Sequence, residues 1–476
     1  MGMILLAALL IFVAVILVRT LRFTPPALED RKADAVSYDE AAATEALAQL
    51  VRCKTISYGD HSLEDDAEFD KLIALLPGLY PNVFKTCTFE QLPDRALLFT
   101  WKGKEKGDPA VLMAHYDVVP VEEENWDKPA FEALIEDGVL WGRGTLDTKV
   151  TFNGILSAAE NLIAQGFAPK HDVYFAFSGG EEVNGKGAIN IVKRFEQLGV
   201  TPAMVLDEGG AVVENVFPGV KKPCAMVGIA EKGMMNVTYS VSSGGGHASA
   251  PAPKTPVGRL SRACVNLETH PFKAHITAPV AKMFDTLGRH STFLYKMIFA
   301  NLWCFAPVLD LICRLSGGEL NALVRTTVAF TQMKGSKAPN VIPPSASMVS
   351  NMRLNPADTV ASALEYLKKT VGDDNVTLTV GDHMEPSPIS RTDCEGWERV
   401  KNAVSDTWPG CIVSPYLMAQ CSDSRHYRDL SDKVYRFSAM ALTSEERKTI
   451  HGNNERIRVE AIGKAVEFFM RVMKQC

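Results

Sequence analysis

One stretch sets the architecture of this chain: Val111-Leu112-Met113-Ala114-His115-Tyr116-Asp117. Apolar residues that run directly into a histidine and an aspartate are typical of a buried strand whose carboxyl end borders a ligand site. Comparable apolar runs occupy residues 173–177 and 203–206, and helical patterns occupy residues 151–165 and 188–198. This alternation predicts an α/β domain with a mostly parallel mixed sheet flanked by helices.

Acidic residues follow the other two predicted strands in the same way. Glu181 and Glu182 come after residues 173–177 and a Ser-Gly-Gly turn, and Asp207 and Glu208 follow residues 203–206 directly. Because the carboxyl ends of parallel strands meet at one edge of a sheet, we expect these side chains to converge. Side chains of the same chemistry occur in two further stretches, Gly142-Arg143-Gly144-Thr145-Leu146-Asp147 and His451-Gly452-Asn453-Asn454-Glu455.

These residue types predict a metal site. Carboxylate and imidazole ligands without thiolates suit catalytic zinc, and a shared carboxylate allows two ions to lie about 3.5–4 Å apart. The 10 cysteines are scattered without a Cys-x-x-Cys pair, which argues against a disulfide framework or a structural zinc knuckle. We therefore expect two Zn²⁺ per chain, although Mn²⁺ or Co²⁺ would suit the same ligands.

Six motifs, taken in order, resemble those of a known family, the co-catalytic zinc peptidases that include aminoacylase, carboxypeptidase S, glutamate carboxypeptidase and the N-acyl amino acid hydrolases. The resemblance extends over residues 41–473 and is strongest to carboxypeptidase S and the N-fatty-acyl amino acid hydrolases. The motifs are His115-x-Asp117, Gly142-Arg143-Gly144 with Asp147, Glu181-Glu182, Asp207-Glu208-Gly209-Gly210, Gly246-His247-Ala248-Ser249-x-Pro251 and His451-Gly452-x-Asn454-Glu455.

The resemblance implies a set of metal ligands and two catalytic residues. Relatives differ over which acidic residue after the third strand binds metal, so Glu208 stands as the alternative to Asp207. Glu181 would be the general base, taking a proton from the attacking water and passing it to the leaving nitrogen. Asp117 would orient a ligand imidazole through its second ring nitrogen. The implied ligands are Asp147 bridging both ions, His115 and Asp207 on one ion, and Glu182 and His451 on the other.

A second domain begins where the sequence pattern changes, since residues 235–241 alternate like a half-exposed strand and precede a glycine-rich turn. The resemblance implies that this domain is a smaller ferredoxin-like α+β lid, inserted into the catalytic domain and often a homodimer surface. In it, His247 would stabilise the oxyanion across a dimer or a closing cleft. Arg353 would clamp the substrate carboxylate, and Asn340 would help to bind it.

We predict five segments along the chain. They are a membrane anchor or signal segment (residues 1–22), a linker (23–37), the first part of the catalytic domain (38–230), the lid (231–381) and the second part of the catalytic domain (382–476). Residues 4–18 are an unbroken apolar run followed by Arg19 and Arg22, and later by Arg31 and Lys32. No small-x-small cleavage site follows, which favours an uncleaved single-helix anchor. The positive-inside tendency points to a cytoplasmic body, but a signal anchor leading outward has the same pattern, so the side of the membrane stays open.

A second apolar stretch, residues 293–315, is interrupted by Lys296, Pro307 and Asp310. Charges and a proline inside the run favour an amphipathic packing or membrane-surface segment over a spanning helix. Among the histidines outside the motifs, only His426 lies in a polar cluster suited to substrate contact, Ser422-Asp423-Ser424-Arg425-His426.

The predicted function is hydrolysis of the amide next to a free C-terminal carboxylate, in dipeptides or N-acyl amino acids. The net charge of −6 offers no basic stripe for a phosphate backbone, so we expect no nucleic-acid partner. One alternative is an N-fatty-acyl amino acid hydrolase that also runs the condensation, which proximity to a bilayer favours. Another is a catalytically silent, metal-free binding or scaffold protein on the same fold, against which the intact Glu181 argues.

Overall fold

The computed structural model describes residues 1–26, 33–215 and 217–476. The predicted linker therefore lies partly outside the described residues, as do Arg31 and Lys32. The α-helices are α1 (Gly2–Arg22), α2 (Glu40–Val51), α3 (Asp66–Leu79), α4 (Pro81–Thr86), α5 (Lys149–Ala164), α6 (Gly187–Leu198), α7 (Pro256–Thr269), α8 (Ala278–Gly288), α9 (Phe293–Ala300), α10 (Leu302–Ser316), α11 (Gly318–Val324), α12 (Val360–Val371), α13 (Glu395–Thr407), α14 (Ser444–Arg447) and α15 (Val459–Met473).

The strands, in chain order, are β1 (Thr88–Leu92), β2 (Ala96–Trp101), β3 (Ala110–His115), β4 (Leu134–Glu136), β5 (Val139–Trp141), β6 (Val173–Ser178), β7 (Met204–Val213), β8 (Cys224–Glu231), β9 (Gly233–Ser242), β10 (Gly246–His247), β11 (Thr327–Lys334), β12 (Val341–Ile342), β13 (Ser345–Leu354), β14 (Thr377–Met384), β15 (Ile412–Met418), β16 (Val434–Leu442) and β17 (Arg456–Arg458).

The main sheet has eight strands in the order β1-β2-β6-β3-β7-β16-β8-β15. Strands β6, β3, β7 and β16 run parallel, and β15 is parallel to β8, whereas the remaining neighbours pair antiparallel. Every residue of β3 is buried because helices cover both faces: Leu112 packs into the core with α5 and α15, and Val111 and Met113 pack against α6. The predicted α/β class with a mixed sheet is confirmed.

Strand β7 runs beyond the predicted residues 203–206 and turns back as β8, so that Val212 pairs with Ala225. Its pairing with β16 jumps from Asp207 opposite Arg436 to Gly210 opposite Phe437, which leaves Glu208 and Gly209 as a bulge. A bulge turns side chains away from the regular alternation of a strand. Glu208 and Asp207 therefore point into different surroundings.

The smaller domain is built on an antiparallel sheet in the order β11-β13-β9-β14, with α7 and α12 packed on it. The chain order β9-α7-β11-β13-α12-β14 is that of a ferredoxin-like unit, as predicted. It has a core of its own, formed by residues such as Met235, Tyr239, Leu260, Met348 and Leu367.

Helices α8 to α11 interrupt the smaller domain between α7 and β11. The buried side chains of α8, among them Val280, Phe284 and Leu287, pack into the core of the main sheet and not into that of the ferredoxin-like unit. The apolar stretch 293–315 is broken at Asn301 into α9 and α10, which meet at an angle of 115°. At the break, the side-chain amide of Asn301 donates to the Met297 carbonyl at 2.9 Å.

Helix α1 lies against α9 and is otherwise mostly exposed. The guanidinium of Arg19 donates to the Ala300 carbonyl at 3.1 Å, and the buried Asn301 amide donates to the Thr20 hydroxyl at 3.2 Å. Among the described residues, α1 is the one helix that is long and apolar enough to cross a membrane by itself.

Candidate active site

Asp147 lies on the loop between β5 and α5, and a buried carboxylate, that of Glu455, fixes the backbone of this loop. Glu455 is 0% exposed and accepts the backbone N–H groups of Leu146 at 2.7 Å and Asp147 at 3.2 Å. It also pairs with the buried Arg143 at 2.7 Å, and Arg143 donates to the Gly452 carbonyl at 2.8 Å. The glycine-bracketed loop and the His451–Glu455 stretch therefore fix each other, although they lie far apart in the chain.

His115, the last residue of β3, faces carboxylates on both sides of its ring. Its Nε2 lies 3.0 Å from Asp147 Oδ1 and 3.2 Å from Glu208 Oε1. Its Nδ1 lies 3.1 Å from the Asp117 carbonyl oxygen and 3.4 Å from Asp117 Oδ1. Nδ1 is therefore engaged by Asp117, which leaves Nε2 free to serve as a ligand.

Asp117 is fully buried and orients a second element as well. Its two carboxylate oxygens accept the backbone N–H groups of Glu181 at 3.1 Å and Glu182 at 3.2 Å. One carboxylate thus fixes both the His115 ring and the turn that carries the paired glutamates.

Asp207 and Glu208 have different partners, as the bulge in β7 requires. Asp207 Oδ2 accepts the backbone N–H of Ser424 at 2.8 Å. Glu208 reaches His115 instead, at 3.2 Å. Of the two alternatives left by the sequence, the side chain that lies in the histidine–carboxylate cluster is that of Glu208.

His451 completes the other side of Asp147. Its Nε2 lies 2.9 Å from Asp147 Oδ2 and 3.1 Å from Glu182 Oε2. The backbone of His451 has φ 57°, a left-handed conformation that is uncommon for a residue with a side chain. Asp147 therefore has one histidine at each of its oxygens, an arrangement suited to a bridging carboxylate.

The electrostatics of the cluster call for additional positive charge. Burial raises the pKa of Glu208 to about 8 and raises the pKa of Glu181 well above its ordinary value. Burial opposes protonation of His115, but the carboxylates around it prevail and raise its pKa well above the ordinary value. Hydrogen bonds to Asp147 and Glu182 raise the pKa of His451 to about 10. These four side chains therefore bind protons tightly, and the protons balance the negative charge that metal cations would balance if they were bound.

Two overlapping groups of side chains fit divalent cations. In each group, one ligand atom from every residue lies within 4.8 Å of the others. Both groups contain His115, whose single free ring nitrogen can bind one ion, so they are overlapping parts of one donor set and not two separate sites. With His451 beside Asp147 and Glu182, these nitrogen and oxygen donors suit a catalytic dinuclear site. The groups are His115 with Asp147 and Glu182, and His115 with Glu181 and Glu208.

The cluster lies in the wall of a cavity of about 830 Å³. Away from the charged end, the wall is mostly apolar. The apolar lining includes Phe217, Met226, Met283, Leu320, Leu323, Tyr416, Met440 and Leu442.

The three residues predicted in the smaller domain have different positions. Arg353 Nη1 lies 3.6 Å from Cys421 Sγ, and Cys421 is part of the cavity wall. His247 is exposed on β10, and the Asn340 carbonyl accepts the Ala248 N–H at 2.9 Å beside it. Among the described residues, neither His247 nor Asn340 lines the cavity.

The sequence singled out residues 422–426 only as a polar cluster suited to substrate contact, and it did not indicate that two of these residues surround Glu181. Arg425 Nη1 lies 3.9 Å from Glu181 Oε1, and Arg425 Nη2 donates to Asn184 Oδ1 at 3.0 Å. The neighbouring Asp423 accepts the Ser178 hydroxyl, and burial raises the pKa of Asp423 to about 6. The available signal was the polar cluster at residues 422–426, which follows strand β15 but matches no motif.

Comparison with known families identifies the family of this chain. The model of Peptidase family M20/M25/M40 matches residues 111–475. The chain belongs to this family. It is 33% identical to "Probable carboxypeptidase S-like 2" of Dictyostelium discoideum over 98% of this chain and 92% of that protein. It is 36% identical to "N-fatty-acyl-amino acid synthase/hydrolase PM20D1" of Xenopus tropicalis over 98% of this chain and 93% of that protein.

Solved M20 structures share the fold. A metallo-carboxypeptidase from Sulfolobus solfataricus superposes with a TM-score of 0.67 at 16% identity, covering 91% of this chain and 98% of its own. Human carnosine dipeptidase 1 gives a TM-score of 0.64 at 13% identity, covering 92% and 96%. The M20 family is one of dinuclear metal-binding peptidases, and this member is a metallopeptidase or amidohydrolase. The alternative of a silent, metal-free scaffold has no support among these relatives.

Proposed function

We propose that this M20 enzyme hydrolyses N-acyl amino acids with long acyl chains, at the amide next to the free carboxylate. The observation that carries the proposal is the cavity, which joins the histidine–carboxylate cluster to an extended apolar wall. Burying an acyl chain stabilises a complex by about 0.8 kcal/mol per methylene, whereas a small dipeptide leaves that wall unfilled. The N-fatty-acyl-amino acid synthase/hydrolase relatives support the same substrate class.

The metals in this proposal are two Zn²⁺ ions that Asp147 would share. His115 and Glu208, in place of Asp207, would hold one ion, and Glu182 and His451 would hold the other. When bound, the ions would polarise the amide carbonyl and lower the pKa of water towards 7.

Glu181 acts as the general base in this scheme. Burial raises its pKa well above the ordinary value for a glutamate, which brings its basicity closer to the working pH. It takes a proton from the attacking water and delivers that proton to the leaving nitrogen. Asp117 holds its backbone in place, and Arg425 lies 3.9 Å from one of its oxygens.

Arg353 binds the substrate carboxylate at the rim of the cavity near Cys421. His247 lies on β10, and Asn340 directly precedes β12, the strand that pairs with β10. Their proposed roles in oxyanion and carboxylate binding therefore require closure of the smaller domain or a second copy of the chain. A homodimer through the smaller domain would supply the second arrangement.

A substrate panel tests the proposal. Purified full-length enzyme with Zn²⁺ is assayed on N-oleoyl and N-acetyl forms of one amino acid and on the matching Gly-Xaa dipeptide. We expect the highest kcat/KM on the N-oleoyl substrate, and condensation of oleate with the amino acid when both are in excess. A preference for the dipeptide would instead establish the carboxypeptidase alternative.

We further infer that α1 remains in the mature enzyme as a membrane anchor. Asn301 is 0% exposed and donates to the Ile16 carbonyl at 3.3 Å as well as to Thr20. Cleavage of α1 would remove both of these acceptors and leave the Asn301 amide with its hydrogen bond to the Met297 carbonyl. Intact-mass measurement of membrane-extracted enzyme should therefore find residues 1–22 still present.

A further inference from the structure

Helices α9 and α10 leave large apolar side chains exposed to a substantial extent among the described residues. On α10 these residues follow a helical stripe, and Leu315 is 80% exposed. With lengths of 8 and 15 residues and a bend of 115°, the helices extend about 12 and 22 Å, too short for either to span a bilayer. The exposed residues are Phe293, Leu294 and Tyr295 on α9, and Trp303, Val308, Leu311, Ile312 and Leu315 on α10.

This stripe is continuous with α1. The Phe12 and Trp303 rings meet edge to face with centroids 5.6 Å apart. Phe12 lies seven residues before Arg19 in the helix, which is about 10 Å along its axis. If α1 crosses a bilayer with Arg19 and Arg22 at the surface, Trp303 lies well inside the apolar layer beside it. A lipid bilayer is therefore the occupant that this surface fits.

The same segment leads directly into the active-site wall. Helix α10 ends at Ser316, and Gly317 and Gly318, with φ of 62° and 60°, turn the chain into α11. Residues of α11, Leu320 and Leu323 among them, line the cavity that holds the histidine–carboxylate cluster. Membrane-facing and substrate-facing side chains are thus separated by one two-glycine turn.

A second cavity, of about 460 Å³, borders α9. Phe217 and Leu320 line both cavities, and Tyr295 of α9 lines the second. The loop beside it is fixed to α9, because the Thr292 N–H donates to the Gly219 carbonyl at 3.1 Å. Phe217 and Leu320 are therefore apolar side chains shared by the cavity beside α9 and the cavity that holds the histidine–carboxylate cluster.

We propose that α9 and α10 are embedded in the face of the bilayer that α1 crosses, and that long-chain N-acyl amino acids enter the active site laterally from the lipid along α9 and α11. The entry route rests on the proposed function. The embedded surface rests only on α1 as a membrane anchor and not on the substrate class, so the two are tested separately.

The first experiment measures embedding without catalysis. Full-length enzyme is reconstituted into phosphatidylcholine vesicles with or without brominated acyl chains, and tryptophan emission is recorded. We expect quenching by the brominated lipid that Trp303→Phe largely removes. Quenching of equal size in wild type and Trp303→Phe would overturn the embedded surface.

The second experiment measures entry. Leu311→Glu adds a charge to the exposed stripe, and Val265→Glu, at a site 56% exposed on α7 of the smaller domain, is the matched control. With N-oleoyl substrate dissolved in the vesicles, we expect Leu311→Glu to lower kcat/KM about tenfold, because a carboxylate is expelled from lipid. Water-soluble N-acetyl substrate should be hydrolysed as by wild type, and Val265→Glu should change neither rate.

Each outcome separates the two ideas. Equal loss on both substrates, or no loss on the N-oleoyl substrate, would overturn lateral entry. If wild type hydrolyses neither N-acyl substrate, the proposed function and the entry route fail together, while the quenching result still decides whether α9 and α10 lie in lipid.

Discussion

Glu181 is the side chain whose replacement separates chemistry from metal binding. Glu181→Gln keeps the shape of the turn but removes the proton acceptor, and we expect activity to fall by about 10²–10⁴-fold. Metal content, measured by atomic absorption, should remain that of wild type. The neighbouring Glu182→Gln is the matched control, since it should lose metal as well as activity. Full activity of a metal-loaded Glu181→Gln enzyme would rule out Glu181 as the base.

Glu208 and Asp207 show what a single sequence cannot resolve. Both are acidic, adjacent and placed after an apolar run, and the resemblance left either as the ligand. The choice depends on the bulge in β7, which arises from pairing with β16 more than 200 residues later. We expect Glu208→Ala to lower bound zinc towards one ion per chain, whereas Asp207→Asn should keep both ions. The reverse pattern in the metal analysis would restore Asp207 as the ligand.

The sequence predicted those strands and helices around the cluster whose burial pattern is visible within the element itself. The apolar runs of β3 and β6 and the helices α5 and α6 were all anticipated, because burial on both faces and helical periodicity are visible in the sequence itself. The break between α9 and α10 was not anticipated, since it depends on Asn301 being buried against α1. Likewise, no local signal showed that α8 leaves the smaller domain to pack on the main sheet.

The two loops joined by Arg143 and Glu455 give a prediction about positioning. Glu455→Gln should leave the buried Arg143 without a counter-charge and loosen the loop that carries Asp147. Because such supporting contacts typically affect metal affinity by about 10–100-fold, we expect a weaker zinc Kd and a lower thermal stability. Glu445→Gln, which breaks an exposed pair with Lys448, is the control and should alter neither. A change in kcat with unaltered zinc Kd would contradict a positioning role.

The stability of the complete chain should depend on metal and pH together. Without metal, the pKa of Glu208 is raised from 4.5 to about 8 and that of His451 from 6.5 to about 10. Both groups bind protons more tightly when folded than when unfolded. Their contribution to stability is therefore complete at low pH, and it is lost as the pH rises through the folded-state values. His115 and His451 lower the pKa of Asp147, so the contribution of Asp147 to stability is lost as the pH falls and not as it rises. This loss occurs only in strong acid, below the ordinary pKa of an aspartate.

Bound zinc should remove the loss of stability at rising pH, because it supplies the positive charge that the protons on Glu208 and His451 otherwise provide. Thermal unfolding of full-length enzyme in detergent is measured with chelator and with two equivalents of Zn²⁺, from about pH 5 to about pH 8. We expect the Tm difference between the two conditions to widen steadily as the pH rises, since the metal-free form alone loses stability. The double variant Glu208→Gln/His451→Gln should flatten the pH dependence of the metal-free form. A Tm difference that stays constant or narrows would mean that these side chains are not the ones that hold the ions.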